Sequence, residues 1–122
     1  MRRRATVATV ARITLRIDID DKGSIGPGKV RLLELIAAHG SIRQAGVALK
    51  MSYGRAWGLV QELNTTFGRP VVRAAPGGAS GGGAKLTPLG EDIVASYRAA
   101  ESASAQAARV SIAKMQSLAR KS

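Results

Sequence analysis

The chain has 122 residues, 45% of them hydrophobic and 22% charged, with no cysteine and a formal net charge of +11. This balance indicates one globular domain with a polyanionic partner, although a generically basic protein is an alternative, and the missing cysteines exclude disulfides, thiolate metal sites and cysteine nucleophiles. The absence of cysteine also fits a reducing cytoplasm, where we expect the protein. No charge-free stretch approaches the roughly 18 apolar residues of a membrane span, so we expect no contact with a membrane.

The N-terminal part combines a basic tip with an alternating segment. Residues 1–11, which include Arg2, Arg3 and Arg4, are expected to form a flexible basic arm. Residues 12–20 alternate apolar and polar side chains, which predicts a strand with one buried face. Turn-forming residues fill the stretch 21–28, where Pro27 suits the first turn of a helix. The inward side chains of the strand would be Ile13, Leu15, Ile17 and Ile19.

Apolar residues at helical spacing predict a first helix over about 28–39, which ends at Gly40. Glycine is the residue that most readily adopts the left-handed conformation after a helix. The inward side chains of this helix are expected to be Val30, Leu33, Ile36 and Ala37.

Two more helices follow after short capping sequences. Ser41 and Gln44 match a capping box, which predicts a helix over about 42–49. Ser52 is an N-cap candidate for a third helix over about 53–67. Their inward residues would be Ile42, Ala45 and Leu49 on the second helix, and Ala56, Val60, Leu63 and Phe67 on the third.

The second and third helices are joined by only about three residues. The small residues Ala45 and Gly46 permit a close approach of the two helices, which is typical of a helix-turn-helix. An ordinary hairpin of two helices is the alternative, but the basic charge of the chain favours the DNA-binding form.

A glycine-rich stretch, "PGGASGGGAKLT" (residues 76–87), lies between two β-compatible runs at 70–74 and 84–87. A phosphate-binding loop is a poor fit because Lys85 follows Ala84 rather than glycine. Glycine between two short strands predicts a β-hairpin, which beside a helix-turn-helix would be a wing.

The residues after Thr87 are expected to form one long helix. Thr87 caps it, and Pro88 occupies the first helical position. Residues 100–122 extend beyond any surface that the domain could bury, so a partner helix or fraying must account for them. The fold class is therefore mainly α with small β: a winged helix-turn-helix over residues 12–99 with a C-terminal dimerisation helix. The extension carries a stripe of mostly small residues, Ala100, Ser104, Ala108, Ile112 and Met115.

Catalytic and metal-binding patterns are not found in the sequence. His39 is expected to contact the helix end or solvent rather than to take part in catalysis. The acids Asp18, Asp20 and Asp21 are expected to be a solvated strand end, with a hard-cation site as the alternative. We therefore expect no enzyme activity, no cofactor, no metal and no small-molecule ligand.

The third helix is the candidate for reading DNA. Its exposed residues cluster near the N-terminal end, from which recognition helices contact base edges. Arg55 suits guanine, Gln61 suits adenine or a phosphate, and the glycines at 54 and 58 leave room for a groove wall. Trp57 is expected to be a wedge in the core or between helices rather than a base-stacking residue. The DNA-binding candidates are Arg43, Gln44, Ser52, Tyr53, Gly54, Arg55, Gly58, Gln61, Arg73, Gly81, Gly82 and Lys85.

The charge distribution supports that choice. Residues 43–85 contain six basic residues and one acidic residue, Glu62, which gives this segment a local net charge of +5. A segment of this charge that contains both a helix-turn-helix and a wing indicates a nucleic-acid-binding surface. The six basic residues are Arg43, Lys50, Arg55, Arg69, Arg73 and Lys85.

Several short motifs together resemble a known family. "GSIRQAG", "MSYGRAW", "LVQELN", the "GGASGGGAKLT" wing and the "LTPLG" helix entry resemble the N-terminal DNA-binding domain of ModE-type molybdate-responsive regulators, whose winged helix is related to that of LysR-type regulators. The resemblance covers roughly residues 20–100. It implies a homodimer on a palindromic operator, with the third helix in the major groove and the wing on the backbone or in the minor groove. Full-length members carry a separate molybdate-binding region, so this chain, which ends at Ser122, is similar to shorter members that consist of the DNA-binding unit alone.

The sequence thus predicts a sequence-specific, DNA-binding transcriptional regulator of the bacterial cytoplasm, associated with the nucleoid when bound to double-stranded DNA. A winged-helix protein-interaction module is one alternative, and it would have a neutral or apolar recognition face. An oxyanion-linked regulator that depends on a separate molybdate sensor is the other.

Overall fold

The computed structural model describes residues 11–76 and 82–120. The predicted basic arm lies outside this range except for its last residue. Helices in the described part are α1 (Pro27–His39), α2 (Ile42–Ala48), α3 (Tyr53–Phe67), α4 (Pro88–Ala107) and α5 (Arg109–Arg120). Strands β1 (Ile17–Ile19) and β2 (Gly23–Ile25) form one antiparallel pair, and β3 (Val72–Ala75) and β4 (Gly83–Leu86) form another. The predicted winged helix of the α+β class is confirmed.

The helix boundaries follow the capping residues of the sequence. The hydroxyls of Ser41, Ser52 and Thr87 each accept a hydrogen bond from the backbone N–H three residues later, at 3.0–3.1 Å. Gly40 and Gly68 end α1 and α3 with φ of 68° and 76°, the left-handed conformation that costs glycine least. The predicted caps at Ser41, Ser52 and Thr87 and the predicted helix end at Gly40 are confirmed.

An aliphatic core joins α1, α3, the wing and the first half of α4. Tyr97 on α4 is 2% exposed, and its hydroxyl donates a hydrogen bond to the carbonyl oxygen of Leu15 at 2.6 Å. The N-terminal segment is therefore attached directly to α4. Ala37, which was expected to face inward, is exposed, since Leu32 and Leu35 complete the buried side of α1 instead.

The predicted N-terminal strand is shorter than expected. Side chains alternate between half-buried and exposed over residues 11–20, as predicted, but only Ile17–Ile19 pair as a strand. Their partner is Gly23–Ile25, inside the stretch that was expected to be a turn. The reversal is made in the residues between, where Asp20 has φ of 51° and the N–H of Lys22 donates to Ile19 at 2.9 Å. Each strand of the β1–β2 pair is three residues long, and α1 begins at Pro27, two residues after the end of β2.

This first hairpin packs against the C-terminal end of α3. Thr66 is 3% exposed, and its hydroxyl donates a hydrogen bond to the carbonyl oxygen of Glu62 at 2.8 Å. Gly23 lies directly against Thr66, with no room for a Cβ atom. The hairpin therefore fixes the C-terminal end of α3, while the N-terminal end of α3 faces solvent.

The long C-terminal helix is interrupted, so the prediction of a single helix after Thr87 was wrong. Ala108 separates α4 from α5 with φ of −92° and ψ of 2°. The hydrogen bonds on either side persist at 2.9 Å, from the N–H of Ala108 to Ser104 and from the N–H of Ile112 to Ala108. The interruption is therefore a distortion at one residue within a nearly continuous helical ladder.

Candidate nucleic-acid interface

The turn between α2 and α3 is tight, as a helix-turn-helix requires. The N–H of Met51 donates to the carbonyl oxygen of Gly46 at 2.9 Å, and Lys50 has φ of 59°. A Cβ atom on Gly46 would lie 3.3 Å from the Met51 oxygen and 3.4 Å from the Cβ atom of Ala56. The predicted close approach at Gly46 is confirmed, and it places the N-terminus of α3 at the surface. Lys50 is exposed in this turn and was missing from the predicted contact residues, although its basic side chain could have indicated it.

The two sides of α3 have different compositions. Buried side chains occupy the side that faces the core. Since successive residues are about 100° apart around a helix, Gly54, Gly58 and Gln61 lie opposite the core, on the outward stripe. Gly54 and Gln61 are exposed and Gly58 is half-buried. The buried side consists of Ala56, Leu59, Val60, Leu63 and Thr66.

Neither glycine on this outward stripe is required by the fold. A Cβ atom on Gly58 would have no neighbour within 4 Å, and one on Gly54 would meet only the Ser52 hydroxyl at 4.0 Å. Glycine inside a helix is less stable than alanine by about 0.5–1 kcal/mol because it loses more backbone entropy. Gly58 therefore lowers the stability of α3 without any compensating contact among the described residues.

The first turn of α3 presents side chains to solvent. Arg55 is exposed, while its backbone N–H is held by the Ser52 hydroxyl at 3.0 Å. Tyr53 is 44% exposed, and the guanidinium carbon of Arg43 on α2 lies 4.7 Å from its ring centroid. Gln44 is also exposed on α2. The structure thus leaves these predicted contact residues of α2 and α3 exposed and brings Arg43 of α2 into contact with Tyr53 of α3.

Trp57 was expected to be a wedge in the core or between helices, and this prediction was wrong. The side chain is 45% exposed. Trp57 lies one turn after Tyr53, away from the core. The side of α3 that faces the core is already filled, because Leu59 and Thr66, which were not predicted to be buried, lie there. The hydrophobic character of tryptophan alone could not distinguish these two places.

The wing carries two basic residues at the same level. Arg73 on β3 is the direct cross-strand partner of Lys85 on β4, and both are exposed. Like charges directly opposite each other destabilise an isolated pair of strands. Strand β4 of the wing is attached to the end of α1, where the N–H of Ala84 donates to the carbonyl oxygen of Gly40 at 2.9 Å. Gly82 is exposed near the tip, and the candidate at Gly81 lies outside the described residues.

The basic residues of the helix-turn-helix and the wing have no acidic partners within the described ranges. Ion pairs in this part of the chain link Arg16 to Asp18, Lys29 to Glu62, Arg31 to Glu34, and Arg98 to both Glu34 and Glu101. None involves the six basic residues between positions 43 and 85. The single acid of that segment, Glu62, lies 3.2 Å from the ammonium group of Lys29. The segment's positive charge is therefore uncompensated.

Acidic residues on the α1–α4 side are tightly held instead. Arg98 donates from Nε and Nη2 to the two carboxylate oxygens of Glu34 at 2.9 and 2.8 Å, and from Nη1 to Glu101 at 2.7 Å. The hydrogen bonds from Arg98 lower the pKa of Glu34, against an opposing effect of burial, and nearby arginine charges lower it further. This side of the molecule carries internally balanced charge.

The described residues contain neither a candidate metal-binding cluster nor a membrane-spanning helix, and they form an apolar groove. Residues 11–76 and 82–120 contain no group of three or more histidine and acidic side chains that could hold a metal ion. No helix in those ranges is long and apolar enough to cross a bilayer. An apolar groove of about 280 Å³ lies between β1–β2, α3 and α4, with Asp92 and Ser96 at its polar edge. Its other lining residues are Ile17, Ile19, Ile25, Phe67, Leu89, Ile93 and Tyr97.

Known proteins resemble this chain over part of their length. The molybdenum-pterin-binding protein MopB of Rhodobacter capsulatus is 48% identical over 77 residues, which are 63% of this chain and 28% of that protein. The molybdenum transport protein ModE of Azotobacter vinelandii is 39% identical over 95 residues, 76% of this chain and 35% of that one. The DNA-binding transcriptional dual regulator ModE of Escherichia coli K12 is 36% identical over 87 residues, which are 71% of this chain and 33% of that protein. The chain thus spans about a third of the length of these curated relatives.

Structural comparison agrees on the fold. A solved structure of full-length CbnR complexed with target DNA matches 69% of this chain and 27% of that chain, with a TM-score of 0.53 and 17% sequence identity. No family model matches the chain. The sequence identities and the observed architecture together show that, over the region it shares with these relatives, this chain is a ModE-type homologue with a winged-helix fold.

Proposed function

We propose that this protein is a sequence-specific transcriptional regulator that reads the major groove of duplex DNA with α3. In this proposal the β3–β4 wing contacts the phosphate backbone or the minor groove. The proposal assigns the protein to the bacterial cytoplasm and, when bound to DNA, to the nucleoid, because chromosomal DNA is its target. It includes no catalytic step, metal or cofactor.

The observation that carries the proposal is the uncompensated positive charge of residues 43–85. Six exposed cations lie on α2, the turn after it, α3, the loop that follows α3, and the wing, while Lys29 neutralises the one acid, Glu62. Phosphates are the partners that such an arrangement fits, since each phosphate contact releases condensed counterions from DNA. Arg73 and Lys85 face each other and repel in the free protein, and a phosphate backbone bound by both would offset this repulsion.

Individual roles follow from the chemistry of the side chains. Arg55, in the first turn of α3, suits bidentate contact with guanine, and Gln61 suits adenine or a phosphate. The Ser52 hydroxyl accepts the helix cap bond and keeps its own hydrogen to donate to a phosphate. Arg43 and Gln44, on α2, would hold the backbone beside the groove, with Tyr53 between the two helices. Gly82 would let the wing approach the duplex closely, and we extend this role to Gly81.

The glycines of α3 support the same placement. Gly54 and Gly58 face outward without contacts that require glycine. A DNA groove wall that comes close to α3 would explain why both positions are glycine. Several relatives are transcriptional regulators, and CbnR was solved in complex with its target DNA, which also supports this proposal.

Salt dependence tests the electrostatic part of the proposal. Affinity for duplex DNA, measured by fluorescence anisotropy, should fall by about 10³-fold between roughly 50 and 200 mM salt if six phosphates are contacted. The double variant R73A/K85A should reduce the slope of log K against log salt by about 1.8, that is about 0.9 per lost phosphate contact. The matched control R16A/R31A removes two cations that already have acidic partners and should leave the slope unchanged. Salt-independent binding, or none to genomic DNA at low salt, would contradict the proposal.

We also propose that the protein is a homodimer held chiefly by residues beyond about 95. This assigns residues 12–99 to the DNA-binding domain and 100–122 to a dimerisation extension. All fully buried core residues of the described chain lie at or before Tyr97, whereas large apolar side chains on α5 are exposed. A two-fold pair would place two copies of α3 about 34 Å apart, the spacing of successive major grooves. The proposed seam contains Ala100, Ser104, Ala108, Ile112 and Met115.

Sedimentation tests the dimer. The full-length chain should sediment as a dimer at tens of micromolar, and a chain truncated after Ala99 should be a folded monomer that binds its operator much more weakly. A monomeric full-length chain, or a truncated chain that remains dimeric, would refute this assignment of the seam.

Two alternatives are less well supported. A protein-interaction module would have a neutral or apolar recognition face, whereas the face here is rich in cations. An oxyanion-linked regulator would need a site for the anion, and the groove beside α4 is lined almost wholly by apolar side chains. Such a regulator would therefore depend on a separate molybdate sensor.

A further inference from the structure

The helix-turn-helix carries exposed apolar side chains that phosphate contacts leave unused. Val47 on α2 is 64% exposed, and Tyr53 and Trp57 on α3 are 44% and 45% exposed. These three residues are named the apolar ledge. Large apolar side chains exposed next to a binding surface commonly mark a contact with a partner.

The ledge lies beside the outward stripe of α3. Tyr53 and Trp57 are one turn apart on α3, and Arg43 of α2 stacks on the Tyr53 ring at 4.7 Å, one turn before Val47. Trp57 is about 60° around the helix from Gly54, so no side chain at that position screens the indole. The ring therefore borders the part of α3 that the proposed function places in the major groove.

The surroundings determine the kind of partner. An apolar protein surface would have to approach through a field of unpaired cations, whereas duplex DNA satisfies those cations and also has an apolar group in its major groove. That group is the 5-methyl of thymine, which neither cytosine nor the purines carry. We propose that the apolar ledge, and Trp57 above all, recognises thymine methyl groups, so that the operator contains thymine at fixed positions beside the base pairs read by Arg55. This inference rests on the proposed function.

The expected strength follows from burial of the methyl group. Removing one buried methyl from contact weakens binding by about fourfold. The selectivity for thymine over cytosine should be larger, because the cytosine amino group would lose water against the indole without gaining an acceptor.

Deoxyuridine provides a test that removes the methyl and keeps the base pairing. A duplex selected from a random-sequence library is compared with the same duplex in which deoxyuridine replaces thymidine. The wild-type protein should bind the uridine duplex about fourfold more weakly for each contacted methyl. W57A should bind both duplexes with equal affinity and an unchanged salt slope. Because Trp57 is 45% exposed and is not one of the buried core residues, the urea unfolding of W57A should match that of the wild type.

Fluorescence gives a second, direct measurement. Trp57 is the single tryptophan of the chain, so its emission reports the ledge alone. The thymidine duplex should quench or shift this emission more than the uridine duplex does at saturating concentration. R16A/R31A serves as the control variant and should keep the response of Trp57, since these two cations already have acidic partners away from the ledge.

The outcomes separate this inference from the proposed function. Equal wild-type affinity for the two duplexes, with steep salt dependence intact, would overturn the thymine inference alone. Absence of DNA binding would overturn both. If W57A kept the thymine preference but lost self-association in sedimentation, the ledge would be an interface between copies and the thymine inference would be wrong.

Discussion

The two sides of this molecule treat charge in opposite ways. Between α1 and α4, Arg98 is shared by Glu34 and Glu101 through hydrogen bonds of 2.7–2.9 Å, so the charges are balanced within the fold. On the helix-turn-helix and the wing, exposed cations such as Arg55 and Lys85 have no acidic partner among the described residues. The balanced side holds the fold together, and the unbalanced side is available to a polyanion.

Glycines show the same contrast. A Cβ atom on Gly90, at the start of α4, would strike the backbone carbonyl of Val71, so the fold requires glycine there. A Cβ atom on Gly58 would enter open space. The first glycine is explained by packing within the chain, whereas the second needs an explanation from outside it.

The largest effect should come from the packed side. Gly90→Ala should lower the free energy of unfolding by about 3 kcal/mol or more, because the new methyl displaces the backbone at Val71 and disturbs the wing. Urea unfolding followed by circular dichroism measures this change. The comparison would fail if Gly90→Ala were as stable as the wild type.

Arg55 and Lys85 sharpen the comparison within the unbalanced side. Arg55→Ala should reduce discrimination between specific and random duplexes by about 1–3 kcal/mol, because a base contact is lost. Lys85→Ala should weaken binding to both duplexes alike, because a phosphate contact carries no sequence information. Anisotropy titrations on the two duplexes measure both effects. If Lys85→Ala changed site preference and Arg55→Ala did not, the assigned roles would be reversed.

Local signals in the sequence were sufficient for much of this fold. The caps at Ser41, Ser52 and Thr87 act through atoms only three residues away, so the starts of α2, α3 and α4 could be predicted. The partner of β1 could not, because the Gly23–Ile25 strand depends on tertiary contact with Thr66. A three-residue strand rich in turn formers has no recognisable pattern of its own.

The candidate site, like the fold, could be predicted from the sequence only in part. Basic side chains of the recognition helix and wing could be identified from charge density, but the direct pairing of Arg73 with Lys85 depends on strand register, which the glycine-rich loop conceals. Trp57 was misplaced because helical periodicity allowed it on the edge of either face, and burial is the usual fate of tryptophan. Only the filled inner side of α3 decided its position.

The smallest expected change in stability gives the sharpest test, because stability and binding should move in opposite directions. Gly58→Ala should raise the free energy of unfolding by about 0.5–1 kcal/mol, since alanine is the better helix former and its methyl meets nothing in the free protein. The same methyl should weaken DNA binding by about fivefold or more, because filling a close contact costs roughly 1 kcal/mol or more.

Gly28→Ala is the matched control for Gly58→Ala. Gly28 also lies in a helix, and a Cβ atom there would likewise have no neighbour within 4 Å, but it belongs to α1 rather than to the recognition helix. Gly28→Ala should therefore stabilise the fold and leave DNA affinity unchanged. Thermal or urea unfolding and anisotropy titrations on the same samples measure both quantities. If Gly58→Ala gained stability and bound DNA as tightly as the wild type, the outward stripe of α3 would not lie against a groove wall, and the glycines would need another explanation.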